Sequence, residues 1–488
     1  MVFSSITFLF YFLPIVLGIY YIVPNKMKNV VLLLSSIFFY FYGEPKYVLI
    51  MLVSIIITYL FGILIDKYKK YSKLFLILSI CATTSLLIYF KYINFIIQNI
   101  NLWLTNKIDF IYVVLPIGIS FYTFQLISYT IDVYRGQAKV QKNILKLAMY
   151  VSLFPQLIAG PIVRYTTVEE QIENRNYSFE KFAQGIRRFI IGLGKKVLIA
   201  NVLGELTNIF SSTNESNILF YWMYAIANML QIYFDFSGYS DMASGIAAMF
   251  NIQLPLNFDS PYKAESIIDF WKRWHMTLTR FLRKYVYFSM GGSKKGTTRT
   301  YVNVMTVFLV SGIWHGAGWT FVIWGALHGA FYCMTKFFQK YWNRLCAVWK
   351  WLLTFGFVNV TWIIFRADNL KDAFILIRKI IKLEDFTFKN IGIIESFRLG
   401  EFMWVENTFP LVGQITNNIS GFYMWIFLIG ALFFVLNLQN TQRKYSSGCY
   451  IQDKSAKAEI VHAIFIAILL GWSVVSLSGI TTFLYFNF

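Results

Sequence analysis

The sequence predicts an all-α protein that is embedded in a membrane and crosses it many times. Of its 488 residues, 57% are apolar and 14% are charged, whereas roughly 25% of the residues of soluble proteins are charged. Apolar runs recur along the whole chain, and several approach the roughly 20 residues that a helix needs to cross a bilayer. Backbone polar groups in lipid must be paired internally, and helices do this within one segment. From the hydropathy pattern we expect about 11 or more helices, some of them short and re-entrant or interfacial.

The apolar runs extend over nearly the full length of the chain. They cover 4–24, 30–42, 47–64, 74–90, 187–203, 217–235, 301–327, 350–365, 421–437 and 459–486. The first run is too long for the core of a signal peptide and is followed by further apolar runs, so we expect it to be retained. Without an internal repeat or a low-complexity linker, the chain is expected to form a single integral membrane domain over 1–488. A less hydrophobic insertion is expected at 383–420.

The formal net charge of +20 has an ordinary explanation in a membrane protein. Cytoplasmic loops carry an excess of Lys and Arg, so the charge does not predict a nucleic-acid partner. Four cationic clusters follow or precede apolar runs: Lys26 and Lys28; Lys67, Lys69, Lys70 and Lys73; Arg135, Lys139, Lys142 and Lys146; and Arg443, Lys444, Lys454 and Lys457. Placing all four in the cytoplasm predicts that both termini are extracytoplasmic.

The four cysteines, Cys81, Cys333, Cys346 and Cys449, show neither CxxC spacing nor a pairing pattern. We expect free thiols in or near the membrane rather than a disulfide framework or a zinc site. The chain has no HExxH motif, and His315 and His328 have no acidic residue close by in the sequence. No metal site is therefore predicted.

The segment Ser311–Trp319 places His315 among glycines and tryptophans within an apolar run. An ionisable residue at membrane depth is costly and commonly functional, and an imidazole is well suited to proton transfer. His328 follows thirteen residues later; on one continuous helix the two would lie on different faces, roughly 20 Å apart, which argues against a shared metal. The alternative for His315 is an imidazole satisfied by a neighbouring helix, and for His328 and His462 that structural role is favoured.

The segment 271–288 carries an apolar stripe at helical spacing. The stripe comprises Trp271, Trp274, Leu278, Phe281, Tyr285 and Phe288, which predicts one helix lying at an interface or at the rim of a bundle. Arg273, Arg280 and Arg283 lie off the stripe. They are expected to extend toward water, or alternatively to bind an anionic cytoplasmic donor such as a phosphorylated pantetheine carrier.

Two further segments are unusual for membrane depth. The segment 231–241 carries Asp235 and Asp241, whose carboxylates need partners such as Arg or the histidines; catalytic, structural and ion-pathway roles remain open from the residues alone. The segment 155–164 has two prolines, Pro155 and Pro161. It is expected to be broken or re-entrant, and to be buried in protein or to line a cavity.

Several motifs in this order resemble the membrane-bound O-acyltransferase family. They are Arg273-Trp274-His275, Trp314-His315-Gly316, Met1–Ser5, Gln156–Arg164, Asp235–Asp241 and Phe365-Arg366-Ala367. The resemblance spans nearly the whole chain and is closest to the bacterial branch of alginate and peptidoglycan O-acetyltransferases and the teichoic-acid D-alanyltransferase. It implies a ring of helices around a thin central funnel, with His315 as the essential histidine and His275 as the second polar position. Trp314, Trp274, Asp235 and Asp241 are expected to line the funnel or the substrate.

The carboxyl end, Phe483-Leu484-Tyr485-Phe486-Asn487-Phe488, follows the last apolar run. Taken alone, Tyr485 would belong to an aromatic belt at the membrane interface. The segment also resembles the terminal aromatic-tyrosine motif of the small tail subunit in the D-alanylation system, which implies that Tyr485 carries an acyl group. Here the tail would be fused to the transferase, unlike in that system.

The resemblance implies a specific reaction. A thioester donor, acetyl-CoA or an acyl-carrier-protein thioester, would meet His315 as general base, with no bound cofactor. His275 or a nearby indole N–H would stabilise the oxyanion, and an extracytoplasmic serine-hydrolase-like partner of the SGNH type would pass the acyl group to a polysaccharide. This implies a location in the bacterial cytoplasmic membrane. The alternative is a proton-coupled transporter or flippase, although no inverted repeat is visible.

Overall fold

The computed structural model describes residues 1–175, 177–211, 218–381, 407–417, 422–438, 440–446 and 456–477. These residues form helices and connecting loops, and the part of the chain so described contains no strand. The all-α prediction is confirmed. Of the predicted insertion at 383–420, only 407–417 lies within the described residues, and the tail at 483–488 lies outside them.

Eleven α-helices make up the described chain up to residue 211. They are α1 (Leu13–Ile22), α2 (Lys28–Gly43), α3 (Val48–Lys67), α4 (Ser72–Leu87), α5 (Ile93–Ile100), α6 (Ile119–Tyr134), α7 (Ile144–Ser152), α8 (Phe154–Leu157), α9 (Tyr165–Glu173), α10 (Phe179–Gly194) and α11 (Asn201–Ser211). Three π-helical segments, Thr7–Phe12, Ile88–Tyr92 and Lys195–Ala200, adjoin α1, link α4 to α5 and link α10 to α11.

The described chain beyond residue 217 adds twelve α-helices. They are α12 (Ile218–Met249), α13 (Ile267–Arg273), α14 (Met276–Leu282), α15 (Thr297–His315), α16 (Trp319–Phe337), α17 (Gln339–Trp342), α18 (Ala347–Arg366), α19 (Leu370–Ile381), α20 (Pro410–Asn417), α21 (Phe422–Asn437), α22 (Thr441–Ser446) and α23 (Ala456–Val475). A π-helical segment, Arg283–Tyr287, follows α14. Short 3₁₀ turns lie at Asn25–Met27, Lys69–Tyr71 and Pro261–Lys263.

Within the described residues, five helical stretches are long and apolar enough to cross a bilayer. They are Val48–Lys67, Lys69–Ile100, Ala347–Arg366, Tyr423–Arg443 and Lys457–Val475, with a shorter apolar stretch at Thr7–Ile22. Large apolar side chains such as Leu49, Leu60 and Ile468 are exposed on them. Lipid would cover such side chains, as expected of a polytopic membrane protein.

The longest helix, α12, forms the centre of the protein. Nearly all of its residues are buried, polar ones included, and it makes its most extensive contact with α10. Four glycines let the two backbones touch: Gly185 and Gly192 on α10, and Gly238 and Gly245 on α12. A Cβ on Gly192 would lie 2.6 Å from Met242 N, and one on Gly245 would lie 2.6 Å from Phe189 N. Small residues at such a crossing are a known means of close helix packing in membranes.

Asp241 is fully buried between these glycine contacts and is held by two cations. Arg188 Nε and Lys195 Nζ lie 3.0 Å and 2.7 Å from its two carboxylate oxygens. On the same helix, Asp235 pairs with Lys196 Nζ at 2.5 Å. The sequence predicted that both carboxylates need partners, and the partners are cations of α10 and the π-helical segment that follows it. The carboxylates thus join α12 to α10.

Replacing Asp241 with Asn is expected to destabilise the fold by about 3–5 kcal/mol, because it leaves Arg188 and Lys195 buried without a counter-ion. Thermal unfolding of the purified protein in detergent measures this. Asp66→Asn is the matched control, since Asp66 and Lys69 form an exposed pair of the kind that contributes little. Equal melting temperatures for the Asp241 and Asp66 variants would show that the buried pair does not support the fold.

The segment with two prolines is broken as predicted. The four-residue helix α8 ends at Leu157, and 158–164 continues without helical structure. Its residues are buried as far as Val163, so irregular backbone at this depth is enclosed by protein. Opposite it, Gly118 adopts φ +78°, and a Cβ there would lie 2.7 Å from Leu157 O. The non-helical segment 101–118, which ends at Gly118, therefore contacts the start of the non-helical segment 158–164.

The prediction of one continuous helix over 271–288 is wrong. Helix α13 ends at Arg273, Trp274 is extended, and His275 adopts a left-handed conformation with φ +41° and ψ +51° before α14 begins. The apolar spacing persisted across the break because α13 and α14 both face the core. Beyond the stripe, Gly291 and Gly292 both have positive φ.

The apolar run 301–327 is divided between two helices. Helix α15 ends at His315, and α16 begins at Trp319 and packs back along it. Glycines allow this close return: a Cβ on Gly312 would lie 2.3 Å from Phe321 O, and one on Gly325 would lie 2.4 Å from Phe308 O. As a result, the rings of His315 and His328 both pack against the Trp324 ring, whereas on one continuous helix they would lie roughly 20 Å apart.

Candidate active site

His315 is the last residue of α15 and is buried, with 4% of its surface exposed. Its ring lies among aromatic rings, with centroid distances of 4.9 Å to Trp314, 5.3 Å to Trp324 and 5.3 Å to Phe365. The helix ends here because Gly316 is extended. A Cβ at Gly316 would lie 2.1 Å from the Phe321 ring, so the turn accepts glycine alone without rearrangement.

A small cavity of about 60 Å³ lies beside His315. It is bounded by the two non-helical segments, by Lys91 and by the end of α15; the lining residues are Lys91, Leu115, Pro116, Ile117, Gly118, Ile119, Ser120, Phe121, Ile158, Ala159, Trp314 and His315. Each buried water needs roughly 10–15 Å³ of such volume, so the cavity has room for a small polar group. Its walls are apolar except near Lys91, Ser120 and His315.

His275 does not line the cavity, but its ring centroid lies 6.4 Å from that of His315. It is fully buried in the break between α13 and α14. A left-handed conformation costs a non-glycine residue about 1–3 kcal/mol, and such strain is concentrated at functional sites. The break aims the imidazole inward, where it packs edge-on against Phe236.

The hydrogen bonds around Asn257 assign the tautomer of His275. Thr277 N, which can only donate, lies 3.4 Å from Asn257 Oδ1, and His275 Nδ1 lies 3.0 Å from the same oxygen. Nδ1 therefore carries the proton, because Oδ1 can only accept. Nε2 is then an unprotonated acceptor, and it is buried without a hydrogen-bond partner among the described residues.

This tautomer changes the role that the sequence suggested for His275. Nε2 of the neutral ring has no proton, so it cannot donate a hydrogen bond to an oxyanion. It can accept one from a substrate hydroxyl or thiol. Trp324 offers the donor instead: its indole Nε1–H is buried without an acceptor among the described residues, and its ring contacts His315.

Replacing Asn257 with Ala is expected to lower kcat by about 100-fold, the cost of a misplacement near 1 Å, because His275 Nδ1–H loses its acceptor. Steady-state kinetics of purified protein measure this. Asn143→Ala is the control, because Asn143 caps α7 far from the histidines. Undiminished kcat in a folded Asn257 variant would show that the tautomer of His275 is unimportant.

His328 has the structural role that the sequence favoured. Trp271 Nε1 donates to its Nδ1 at 3.2 Å, so Nε2 carries the proton and donates to Thr361 Oγ1 at 3.0 Å. Both ring nitrogens are thus satisfied within the core. Trp324 lies between His328 and His315, with ring centroids 4.7 Å and 5.3 Å away. The described residues contain no group of three or more His, Cys, Asp or Glu side chains that could hold a metal ion.

Of the four residues expected to line the funnel, Trp314 alone lines the cavity. Its indole donates to Ser120 O at 3.2 Å and stacks on Phe124. Trp274 is buried in an aromatic cluster with Phe258, Phe270 and Trp362. Asp235 and Asp241 form the ion pairs described above. The geometry of these carboxylates supports a structural role.

The three arginines of the predicted donor site do not converge on His315. Arg273 Nε pairs with Asp269, one helical turn earlier, at 3.0 Å. Arg280 and Arg283 are exposed, and Arg283 lies over the Phe288 ring. They remain available to an anionic ligand at the surface. Tyr485 lies outside the described residues.

Lys91 and Asn257 are the site residues that the sequence analysis missed. Lys91 is a cation within the apolar stretch Lys69–Ile100, and the cost of a charge there could have marked it. Asn257 lies in a loop, and its contact with His275 depends on the tertiary fold. The three described cysteines, Cys81, Cys333 and Cys346, are free as predicted, and Cys449 lies outside the described residues.

The sequence matches a known protein family. The model of the membrane-bound O-acyltransferase family matches residues 34–371. These residues include both histidines, Lys91 and the cavity. The match covers well over half of the chain.

Relatives match over most of their length. A peptidoglycan O-acetyltransferase of Helicobacter pylori is 34% identical over 527 aligned positions, covering 100% of this chain and 98% of the relative. A probable alginate O-acetylase, AlgI, of Pseudomonas aeruginosa is 39% identical over 76% of this chain and 73% of the relative. A teichoic acid D-alanyltransferase of Bacillus subtilis is 30% identical over 48% of this chain and 62% of the relative. The chain belongs to the membrane-bound O-acyltransferase family and is an O-acyltransferase.

Proposed function

We propose that this enzyme takes an acetyl group from a cytoplasmic thioester and delivers it across the cytoplasmic membrane for O-acetylation of a cell-wall polymer or exopolysaccharide. The observation that carries the proposal is the position of His315, at the end of a buried helix and against a small cavity. The names of the relatives, which act on peptidoglycan and alginate, support the choice of polymer. The proposal puts both termini on the extracytoplasmic side, and the distribution of Lys and Arg along the sequence supports this orientation.

In the proposed reaction His315 is the general base. It removes the proton of the attacking hydroxyl as that oxygen forms a bond to the thioester carbonyl carbon. The tetrahedral intermediate collapses with cleavage of the C–S bond, and the proton on His315 passes to the leaving thiolate. General acid–base catalysis of this kind contributes about 10²–10⁴-fold to the rate.

Trp324 is the proposed oxyanion donor. Its free indole N–H next to His315 is a preorganised donor that costs little to align. A donor of this kind is worth about 3–4 kcal/mol in acyl transfer. His275 accepts a hydrogen bond through Nε2 and orients the attacking hydroxyl or the thiol.

The first acceptor in the proposal is the hydroxyl of Tyr485. A phenol with a pKa of about 10 is weakly nucleophilic at neutral pH, so it needs a base such as His315. The aryl ester that forms is activated enough to pass the group on. An extracytoplasmic SGNH-type partner would then move it to a sugar hydroxyl, and the polymer need not enter the membrane.

The donor is acetyl-CoA or an acyl-carrier-protein thioester. Both carry an anionic pantetheine arm, which the exposed Arg280 and Arg283 could contact at the surface. Purified protein in liposomes, given radiolabelled acetyl-CoA or the acetylated carrier protein, should release a free thiol and become labelled. Movement of an intact solute without thiol release would instead favour the transporter alternative.

A further inference from the structure

The end of α15 is capped by side chains from a distant part of the chain. The last four carbonyls of an α-helix lack partners within the helix. Here Gly312 O accepts from Gly316 N at 3.4 Å, and Ile313 O accepts from Tyr92 Oη at 2.7 Å. The last two, Trp314 O and His315 O, accept from Lys91 Nζ at 2.7 Å and 3.0 Å. We call Lys91 and Tyr92 the carbonyl clamp.

The clamp belongs to the π-helical segment Ile88–Tyr92 between α4 and α5. A single-turn π-helix inside a longer helix is frequently found at functional sites. Here it places two consecutive side chains against α15. The following helix extends the connection, since Asn99 Oδ1 accepts from the Trp319 indole at 2.9 Å. Residues on both sides of the turn between α15 and α16 are thereby hydrogen-bonded to the stretch 88–100.

The Lys91 ammonium donates its hydrogen bonds to uncharged oxygen atoms. Besides the two carbonyls, Nζ donates to Ser120 Oγ at 3.3 Å, and no ion pair with a carboxylate is found for it within the described residues. The end of a helix carries a partial negative charge of about half an elementary charge, which stabilises a cation there. The ammonium has three protons, and these three acceptors account for all of them. None is left for a reacting oxyanion.

We propose that Lys91 is a positioning residue that fixes the backbone of His315 at the wall of the cavity. The inference rests on the proposed role of His315 as general base. Lys91 lines the same cavity, so loss of its ammonium would both free the end of α15 and enlarge the space beside the imidazole. Tyr92 contributes one further hydrogen bond and is the weaker half of the clamp.

Lys91→Met is expected to lower kcat by about 100-fold with little change in KM, since near 1 Å of misplacement has that effect. Lys91→Arg keeps the charge and the donors and should restore part of the loss. Tyr92→Phe should have a smaller effect. Reaction of the His315 ring with diethyl pyrocarbonate, followed on the His315 peptide relative to the His462 peptide, should be faster in Lys91→Met because the clamp is open.

The matched control is Lys28→Met. Lys28 is buried, and its ammonium lies over the rings of Tyr20, Tyr21 and Tyr177, none of which lines the cavity beside His315. Its loss should leave kcat per folded molecule unchanged. If Lys91→Met does not fold, Lys91→Gln, which lacks the charge, takes its place with the same expectations.

Wild-type kcat and an unchanged His315 modification rate in the folded Lys91 variant would overturn the inference. If His315→Ala is inactive in the same assay, the proposed function stands while the clamp fails. If His315→Ala is also active, the failure belongs to the proposed function. Loss of kcat with partial recovery in Lys91→Arg supports the clamp.

Discussion

His315→Ala is expected to abolish acyl transfer, with a loss of at least about 10³–10⁴-fold, because general base catalysis and the alignment of the attacking hydroxyl are lost together. The His315 ring packs against the rings of Trp314, Trp324 and Phe365. His328 cannot replace it as the base, since His328 uses both ring nitrogens in the core. Thiol release from the thioester donor measures the effect.

His462→Ala is the matched control for this variant. His462 lies on the apolar helix α23, away from the cavity lining. Its loss should leave thiol release unchanged. Replacing His315 with Ala also leaves a cavity among the surrounding aromatic rings. The larger variant His315→Gln should therefore be assayed beside His315→Ala. Full activity in both His315 variants would exclude the residue as the base.

Tyr485→Phe is expected to eliminate the acyl-enzyme while leaving the fold intact. The substitution removes a single oxygen, and with it the proposed nucleophile. Labelled acetyl-CoA should then give no hydroxylamine-sensitive label on the carboxyl-terminal peptide. O-acetylation of the polymer in cells should fall to the background of a strain without the enzyme.

Tyr112→Phe is the control for the tyrosine substitution, because Tyr112 is 94% exposed and distant in sequence from the tail. It should retain both the label and the polymer product. Normal product from Tyr485→Phe would rule out the tail as carrier and favour direct transfer from the donor at His315 to the acceptor. In that case the His315 prediction would still hold.

Much of the architecture followed from the sequence because apolar runs are a direct consequence of burial in lipid. The runs at 47–64 and 350–365 correspond to α3 and α18. The break in 155–164 was predicted from Pro155 and Pro161, whose rings are incompatible with an uninterrupted helix. The pairing needs of Asp235 and Asp241 were also predicted, since a buried carboxylate without a partner is too costly.

The breaks at His275 and at 316–318 were not predicted, for a physical reason. The residues around His275 are buried, and the apolar Ile313 and Trp319 beside 316–318 are exposed. Apolar residues thus flank both breaks, so the apolar pattern continues through residues that are not helical. Glycines around 312–318 indicated close packing but not a turn. Lys91 contacts the backbone of Trp314 and His315, which follow it by 223 and 224 residues in the chain. Asn257 contacts His275, which follows it by 18 residues. Local patterns do not encode such contacts.

We propose that His315 catalyses covalent acyl transfer at the cavity beside Lys91. The most direct measurement is incorporation of label from radiolabelled acetyl-CoA, or from the acetylated carrier protein, into purified protein reconstituted in liposomes. Wild type and His462→Ala should acquire a hydroxylamine-sensitive label and release free thiol, and His315→Ala should do neither. Equal labelling and thiol release in His315→Ala would contradict the account.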